Sequence, residues 1–551
     1  HWLLTRVLRE EWGYEGAVIS DWHAIKDRPA ALRAGTDLDM PESKSRKEAL
    51  LKAIEAGEIN QDILDEACLR VLDLVCRCLG AAAYPTIDLD SHHELARRMA
   101  AESIVLLKND QAALPLSRQH SERLLVIGDG AVKPVIQGSG SATTNPFRID
   151  VPLEQIRRLA GKDSVRHLSF PPADQTQINV AISEAVAAAQ ETDTVVVFAS
   201  NCPGKDGEGS DRDNLRLVPG QDDLIQALAH AGHRTVVVLT MPDAVEMPWA
   251  EDVDSILACF YPGQGGGEAI ARVLFGEQNP CGKLSVTFPK RIEDIPGFHS
   301  YPGEHARHCY SEGIFVGYRF YDLKAVEPLF PFGHGLSFTS FSYENLSLDV
   351  DQVTAEGNVM ARVTIRNTGN IAGKEIVQLY VRPIQPGLRR PVRELKSFAK
   401  VELQPGEATT VAMTLHPRDF QYFDTQEGRW TLRAEAFAIE IAASSRDIRL
   451  SKTLPCVSDE RRPPILSTAL PPSVVFTHPC AEAALMDFIS GRLKISANET
   501  QSIIDAVRHS FLDFYESLSW FIGDSIPEAD IQSLFTKINN ETFNQTRSLG
   551  Q

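Results

Sequence analysis

The sequence has no long apolar segment and no basic cluster, and these two absences exclude two classes of function. Its apolar runs, such as Thr194–Ala199, are strand-sized and fall short of the roughly 18–20 residues that a membrane-spanning helix needs. Lys and Arg number 55 against 74 Asp and Glu, which gives a net charge of −19. With no Lys/Arg cluster to hold a phosphate backbone, neither nucleic acid nor a membrane is an expected partner.

Cysteine is scarce and scattered. The nine cysteines are odd in number and lie mostly in apolar segments, unlike a disulfide framework, so we favour a reducing, cytoplasmic location over secretion. Cys76 and Cys78 are too close for the usual zinc spacing, and we predict that they pack within a helix. No other group of His, Cys and carboxylate residues has metal-ligand spacing, and we expect no metal or other cofactor.

The first 80 residues predict part of a βα domain. Gly16–Ser20 is short, apolar and β-branched, which is typical of a buried parallel strand, and it ends at Asp21. A second short segment around Thr36–Pro41 follows one helical stretch. Two more helices are predicted over 43–56 and 61–79, the latter capped by Asn60. This segment has too few strands to close a barrel.

Beyond residue 80 the hydrophobic periodicity divides the chain into further regions. Apolar strands alternate with helices over 88–290, with one helix predicted from His92 to Lys108, and this alternation indicates a separate doubly wound α/β domain. The period changes to two over 340–452, which predicts a β-sandwich. A connection over 291–339, a Pro-rich linker over 453–478 and a helical tail over 479–551 complete the chain; one apolar stripe of the tail includes Phe511 and Phe514. The tail is a docking or dimerisation element by hypothesis, which keeps a homo-oligomer open.

Asp21 is the first candidate catalytic residue. It follows the predicted strand and precedes Trp22, and an acid beside a broad aromatic face suits a sugar site, where the indole stacks on the sugar and the carboxylate meets the anomeric carbon. The alternative is that Asp21 caps a helix beginning near His23.

Glu208 is the second candidate. It lies between two glycines in the loop after the strand that ends at Ala199. The nearby acids Asp206 and Asp211 would raise its pKa, as a general acid requires, although Lys205 and Arg212 oppose this. The alternative is a solvated surface loop.

Two glycine-rich segments are weaker signals. Gly263–Gly267 precedes a helix and either forms an anion-binding nest or packs closely on a strand, and the second interpretation is favoured because no phosphate-loop Lys follows. Gly138–Ser141 is typical of a turn.

Nine phrases of the sequence, taken in order, resemble the large multidomain members of glycoside hydrolase family 3, in particular the β-glucosidases. The phrases are Leu8–Gly16, Ile19–Trp22, Ala34–Pro41, Glu102–Asn109, Gly207–Arg212, Tyr261–Gln264, Gly282–Pro289, Tyr318–Tyr321 and Pro331–Ser337. The likeness covers about residues 3–450, and the helical tail lies outside it.

The resemblance implies a multidomain α/β plus β architecture: the C-terminal part of a (β/α) barrel, an α/β sandwich domain, a fibronectin type III-like β-sandwich and then the helical tail. It makes Asp21 the nucleophile and Glu208 the general acid/base of a retaining hydrolase that needs no cofactor. It also implies that Trp22 and Ser141 bind the substrate, which is a β-glucoside or an oligosaccharide. Trp after the nucleophile resembles the glucosidase branch more than the xylosidase branch, where Cys is usual.

Three alternatives to a β-glucosidase stay open: a β-xylosidase, a glycosidase of natural products, and a non-catalytic carbohydrate-binding module. The family's earlier barrel strands and the residues that grip sugar hydroxyls would precede His1. We therefore expect the 551-residue chain to be an N-terminally truncated fragment that is inactive or unstable alone, with an exposed apolar barrel edge.

Overall fold

A computed structural model describes residues 1–80, 87–118, 122–170, 174–201, 211–305, 307–425, 428–459 and 463–548. The chain divides into two compact units, His1–Leu89 and Asp90–Gln551. None of the helices in these described ranges is long and apolar enough to cross a membrane.

The first unit contains four helices and one pair of extended segments. The helices are a π-helical segment Trp2–Glu11, α1 Arg28–Ala34, α2 Lys44–Glu55 and α3 Gln61–Leu79. The side chain of Asn60 accepts the Asp62 N–H and caps α3 as predicted. A small core of Leu32, Ala53, Ile59 and Ala67 joins α1, α2 and α3.

Two predictions for this unit are wrong. Gly16–Ser20 is not a buried strand: only Ile19 forms a β-bridge, with Leu38, and Ile19 is 47% exposed. Among the described residues of this unit the segment has a neighbour on one side only, whereas a central strand needs two. Cys76 and Cys78 lie on α3 but both are exposed rather than packed.

The second unit begins with a mixed α/β region. Its strands and helices alternate: α4 Leu89–Ser103, β1 Val105–Asn109, β2 Leu124–Ile127, α5 Pro152–Ala160, β3 Val165–Leu168, α6 Gln175–Ala189, β4 Thr194–Ser200, α7 Gln221–His230, β5 Thr235–Thr240, β6 Ser255–Ala258 and α8 Gly266–Leu274. The six strands form one sheet in the order β1-β6-β5-β4-β2-β3. All neighbours are parallel except β1, which pairs antiparallel with β6 at the edge.

The helix predicted from His92 to Lys108 is therefore too long. It ends at Ser103, and Val105–Asn109 is a strand. Residues 104–107 are four consecutive buried apolar residues, a pattern that suits a strand covered on both faces better than one stripe of a helix.

A connecting region and a β-sandwich follow. The connection contains α9 Tyr318–Lys324. The sandwich strands are β7 Phe341–Leu348, β8 Val359–Asn367, β9 Gly373–Ile384, β10 Glu394–Leu403, β11 Ala408–Leu415, β12 Tyr422–Asp424, β13 Arg429–Thr431, β14 Ala436–Ala442 and β15 Ile448–Pro455, with the short helix α10 Pro417–Phe420 between β11 and β12. A four-stranded sheet, β10-β9-β14-β15, and a three-stranded sheet, β11-β8-β7, enclose one apolar core. The predicted β-sandwich is confirmed.

The tail is helical, as predicted, and has an apolar core of its own. Its helices are α11 Pro472–Val475, α12 Ala481–Leu493, α13 Ala497–Arg508, α14 Phe514–Ile522 and α15 Glu528–Ser548. Phe514 is buried in this core, but Phe511 lies between α13 and α14 and is 95% exposed. The prediction that Phe511 belongs to the apolar stripe is wrong because α13 ends three residues earlier.

Candidate active site

Asp21 lies in a turn at the end of one of two parallel extended segments. The Ser20 N–H donates to the Leu38 carbonyl (2.9 Å), the Met40 N–H donates to Ser20 Oγ (2.8 Å), and the His23 N–H donates to the Met40 carbonyl (3.0 Å). His23 adopts a left-handed φ of 58°, which turns the chain back toward Met40. The backbone on both sides of Asp21 is thus held by residues 38–40.

The carboxylate of Asp21 is exposed and free of a neighbouring cation. Its Oδ1 accepts the Trp22 N–H at 2.6 Å, and no Lys or Arg of the described chain forms an ion pair with it. The Trp22 side chain is 60% exposed. Asp21 does not cap a helix: α1 begins at Arg28, and its cap is Asp27. The capping alternative is therefore excluded.

Two neighbouring acids, by contrast, are neutralised by arginines. Asp37 is 1% exposed in its side chain and lies 2.7 Å from Arg9 Nη2 and 3.2 Å from Arg70 Nη1. Its Oδ2 also accepts the Val18 N–H at 2.7 Å. Arg46 Nε holds Asp39 at 2.7 Å. These bonds fix the paired segments from which Asp21 extends.

Arg28 also helps to hold the second of these paired segments. Its guanidinium donates to the carbonyls of Thr36 (3.2 Å) and Asp37 (3.0 Å). Burial lowers the pKa of Arg28, although the nearby Asp39 and Asp37 carboxylates oppose this. The sequence analysis missed these arginines, since the spacing of single residues does not show which acid each of them meets.

In the second unit, the topology of the sheet marks one edge for ligands. From β2 the chain crosses through α5 to β3 on one side, and it returns through α6 to β4 on the other side of β2. Helices α5 and α6 pack on opposite faces of the sheet. The loops after β2 and β4 therefore diverge at a topological switch point, where doubly wound sheets bind ligands.

Ser141 belongs to the loop after β2. It lies in a 3₁₀ turn, Gly140–Ala142, and is exposed. The side chain of Gln137 closes this loop, since it accepts the Thr144 N–H (3.1 Å) and donates to the Thr144 carbonyl (3.0 Å). The prediction of a turn is confirmed, and the turn presents the Ser141 side chain to solvent.

Glu208 follows β4 along the chain and lies within residues 202–210, which are outside the described residues. The residues on either side of this segment are described. Before it, buried Asn201 accepts the Tyr261 hydroxyl at 3.4 Å. After it, Arg212 pairs with Asp243, and Asn201 and Arg212 share a cavity of about 370 Å³.

Tyr261 joins the two loops at this edge. A β-carbon at Gly138 would lie 3.5 Å from the Tyr261 ring, so the backbone of the Ser141 loop packs on that ring. The Tyr261 hydroxyl reaches Asn201, the last described residue before Glu208. The structure therefore brings the Ser141 loop and Asn201 together, whereas Asp21 and Trp22 belong to the other compact unit.

A buried polar cluster fixes the far end of the Ser141 loop. Arg97 binds both carboxylate oxygens of Asp150 (2.7 and 2.8 Å), and His93 Nε2 donates to Asp150 Oδ1 (3.1 Å), because His93 Nδ1 accepts the Gln264 amide. Burial alone would raise the pKa of Asp150, but the bonds from Arg97 and His93 outweigh it and lower the pKa. A β-carbon at Gly267 would lie 2.2 Å from the Asp150 carbonyl oxygen. The glycine-rich segment therefore packs closely, as predicted, but Gly267 meets the backbone at Asp150, which lies before α5, rather than a strand.

Comparison with known proteins identifies the family. The model of the glycosyl hydrolase family 3 N terminal domain matches residues 1–74, that of its C-terminal domain matches residues 104–318, and a fibronectin type III-like domain matches residues 375–445. The GH3 β-glucosidase of Bifidobacterium adolescentis, a solved structure, is 34% identical with a TM-score of 0.77, and the match covers 88% of this chain and 70% of that one. The chain belongs to glycoside hydrolase family 3. The predicted resemblance is confirmed.

Other family members show how wide the similarity is. Thermostable β-glucosidase B of Acetivibrio thermocellus is 43% identical over 462 residues, which are 82% of this chain and 60% of that protein. An exo-α-(1→6)-L-arabinopyranosidase of Bifidobacterium breve is 37% identical over 480 residues, 84% of this chain and 62% of that protein. The structure of DesR, a β-glucosidase from Streptomyces venezuelae in complex with D-glucose, is 29% identical with a TM-score of 0.76 and covers 82% of this chain and 74% of that one. The chain spans 60–65% of the length of four curated relatives that it matches.

Proposed function

We propose that the protein is a retaining β-glycosidase that removes terminal β-D-glucosyl residues, with Asp21 as nucleophile and Glu208 as general acid/base. The proposal rests on which acids near residue 20 form ion pairs and which do not. Asp37 and Asp39 are paired with arginines, whereas Asp21 is exposed and has no cation partner among the described residues. An unpaired carboxylate keeps the electron density that attack on an anomeric carbon needs.

The first chemical step joins Asp21 to the sugar. One carboxylate oxygen of Asp21 attacks the anomeric carbon, the glycosidic C–O bond breaks, and the protonated carboxyl of Glu208 gives its proton to the departing oxygen. In the second step Glu208, now ionised, takes a proton from water, and that water displaces Asp21 from the anomeric carbon. Two displacements restore the β configuration, and this mechanism requires carboxyl groups about 5–5.5 Å apart.

Trp22 and Ser141 take supporting roles in this proposal. The exposed indole of Trp22 directly follows the nucleophile and offers an apolar face to the C–H groups of the glucosyl ring. The exposed Ser141 hydroxyl offers a hydrogen bond to a sugar hydroxyl.

Activity with an aryl β-glucoside tests the two catalytic roles in the full-length gene product. Asp21→Ala should abolish turnover, and a near-normal rate would remove Asp21 from the role. Glu208→Ala should be slow and should be rescued by azide, which needs no general base, with β-glucosyl azide as the product. Asp206→Ala is the matched control in the same loop. If azide rescued Asp206→Ala and not Glu208→Ala, Asp206 would be the acid/base.

The stereochemistry and the sugar are tested separately. Proton NMR of the first product should show β-glucose, and α-glucose would contradict retention. Because the related arabinopyranosidase is 37% identical, an aryl α-L-arabinopyranoside belongs in the substrate set beside the glucoside and the xyloside. We expect the glucoside to have the highest kcat/KM.

A further inference from the structure

The second unit contains a cavity of about 500 Å³ that the proposed chemistry does not use. It is lined by residues of the loop after β5, of the segment 285–289, of α9 and of the residues on either side of α9. This volume lies in the range of small-molecule sites. Most of the wall is apolar or aromatic, so the cavity suits a ligand that is itself largely apolar.

The aromatic side of the cavity is fixed before any ligand binds. The Tyr318 and Phe332 rings are stacked, with their centroids 4.8 Å apart and an angle of 24° between them. The Tyr318 hydroxyl accepts the Leu395 N–H at 2.9 Å, which ties α9 to the β-sandwich. A third ring of the wall, that of Tyr321, belongs to a residue only 2% exposed. Rings held in this way offer a preformed surface to the ring of a ligand.

Two hydroxyl groups of the wall lack a hydrogen-bond partner. Thr287 Oγ1 is buried, and no described residue bonds it. The Tyr321 hydroxyl likewise forms no hydrogen bond with a described residue. Burial raises the pKa of Tyr321 to about 12, so this hydroxyl stays protonated at neutral pH. Polar groups of this kind normally meet a water molecule or a ligand in a native protein.

The charged side chains of the wall, by contrast, already have partners. Asp243 forms an ion pair with Arg212, and Arg319 Nη2 lies 3.0 Å from Glu394. A charged ligand would have to compete with one of these pairs, whereas a neutral ligand leaves both intact. Water alone suits the cavity poorly, because a buried water molecule needs two to four polar partners and most of this wall is apolar.

We propose that this cavity is a binding site for a small neutral aromatic alcohol. The ring of the ligand packs against Tyr318 and Phe332, and its hydroxyl bonds Thr287 and Tyr321. This inference does not depend on the proposed roles of Asp21 and Glu208.

The double variant Thr287→Val/Tyr321→Phe, made in the full-length gene product, tests the inference because it removes both hydroxyls and keeps the shape of the wall. The probe is 4-fluorophenol, titrated by fluorine NMR at a pH where it is neutral. We expect its Kd to rise at least about tenfold in the double variant, the size of two lost hydrogen bonds. The Kd of fluorobenzene, which has no hydroxyl, should change by less than about twofold.

Two controls separate binding from folding and charge. Thr409→Val, on β11 and outside the cavity, is the matched control and should change neither Kd. The urea midpoint of the double variant should stay level or rise, because the two hydroxyls make no bond within the described protein. In the unmodified protein 4-fluorobenzoate, which is charged, should bind more weakly than 4-fluorophenol.

Several results would overturn the inference. If 4-fluorophenol did not bind the unmodified protein, the two hydroxyls would meet water only. An equal Kd for 4-fluorophenol in the unmodified protein and the double variant would mean that this alcohol binds elsewhere, and an equal loss for fluorobenzene would mean that its hydroxyl is not recognised. Binding of 4-fluorobenzoate as tight as that of 4-fluorophenol would exclude a site for neutral ligands, and a lower urea midpoint would mean that the hydroxyls have partners inside the protein.

Discussion

Removal of the Asp37 carboxylate should loosen the segments that hold Asp21. In Asp37→Ala, the Arg9 guanidinium, which is 10% exposed, loses its carboxylate partner, and the Val18 N–H loses its acceptor. Arg70 loses a second contact at 3.2 Å. Breaking one side of a buried ion pair costs about 3–5 kcal/mol, because the remaining charge stays buried without a partner.

The change is best measured locally, since a chain with several domains does not unfold in one step. Amide hydrogen exchange reports the opening of the Val18–Ser20 segment, whose N–H groups bond Asp37 and Leu38. A loss of about 3–5 kcal/mol should accelerate exchange there by roughly two to four orders of magnitude, up to the limit set by complete opening. Turnover should fall as well, because the backbone beside Asp21 would no longer be fixed.

Glu66→Ala is the matched control for this prediction. Glu66 binds the same Arg70 at 2.7 Å, but its side chain is 64% exposed, and an exposed pair contributes about 0.5 kcal/mol. If exchange at Val18–Ser20 changed as little in Asp37→Ala as in Glu66→Ala, buried charge pairing would not be what fixes these segments.

Two further predictions concern the second unit. Gly267→Ala should lower the free energy of unfolding by more than about 2 kcal/mol, because its β-carbon would overlap the Asp150 carbonyl. Gly491→Ala, in α12 with no atom within 4 Å, should raise the free energy of unfolding by up to about 1 kcal/mol. Urea denaturation of both variants measures these changes, and equal effects would refute the packing role of Gly267. The ring of His334 bonds the Leu107 carbonyl at 2.8 Å, and burial lowers its pKa. The unfolded chain therefore takes up the proton more readily than the folded chain, so the free energy of unfolding should fall as pH drops below about 6.5. The urea midpoint should therefore depend less on pH in His334→Gln, and an unchanged dependence would exclude His334 as its source.

The sequence predicted the fold where one hydrophobic period dominates. The β-branched runs of β4 and β5 were recognisable because nearly all their residues are buried. A sandwich strand such as β8 was recognisable because buried residues alternate along it with more exposed ones. The strand β3, Val165–Leu168, was missed because its apolar residues stand only at its two ends. The edge strand β1 was predicted as helix because it directly follows α4 without a turn signal.

The candidate site was predictable only in part. Short local sequence motifs made Asp21 and Glu208 candidate catalytic residues, and these two roles stay predictions. The residues that hold the backbone at these positions are distant in sequence: Arg9 and Arg70 reach Asp37 from two helices, and Tyr261 reaches Asn201 from the loop after β6. Such pairs depend on the tertiary fold, and no local spacing indicates them.

The assignment of Asp21 as the nucleophile is tested most directly by trapping the glycosyl-enzyme. The full-length gene product is incubated with 2-deoxy-2-fluoro-β-D-glucosyl fluoride, in which the fluorine at C2 slows release of the sugar from the enzyme. The labelled peptide is then identified by mass spectrometry. We predict a mass increase of one 2-deoxy-2-fluoroglucosyl group, carried by the side chain of Asp21. A label on another carboxylate, or fluoride release with no label and an inverted product, would contradict the account.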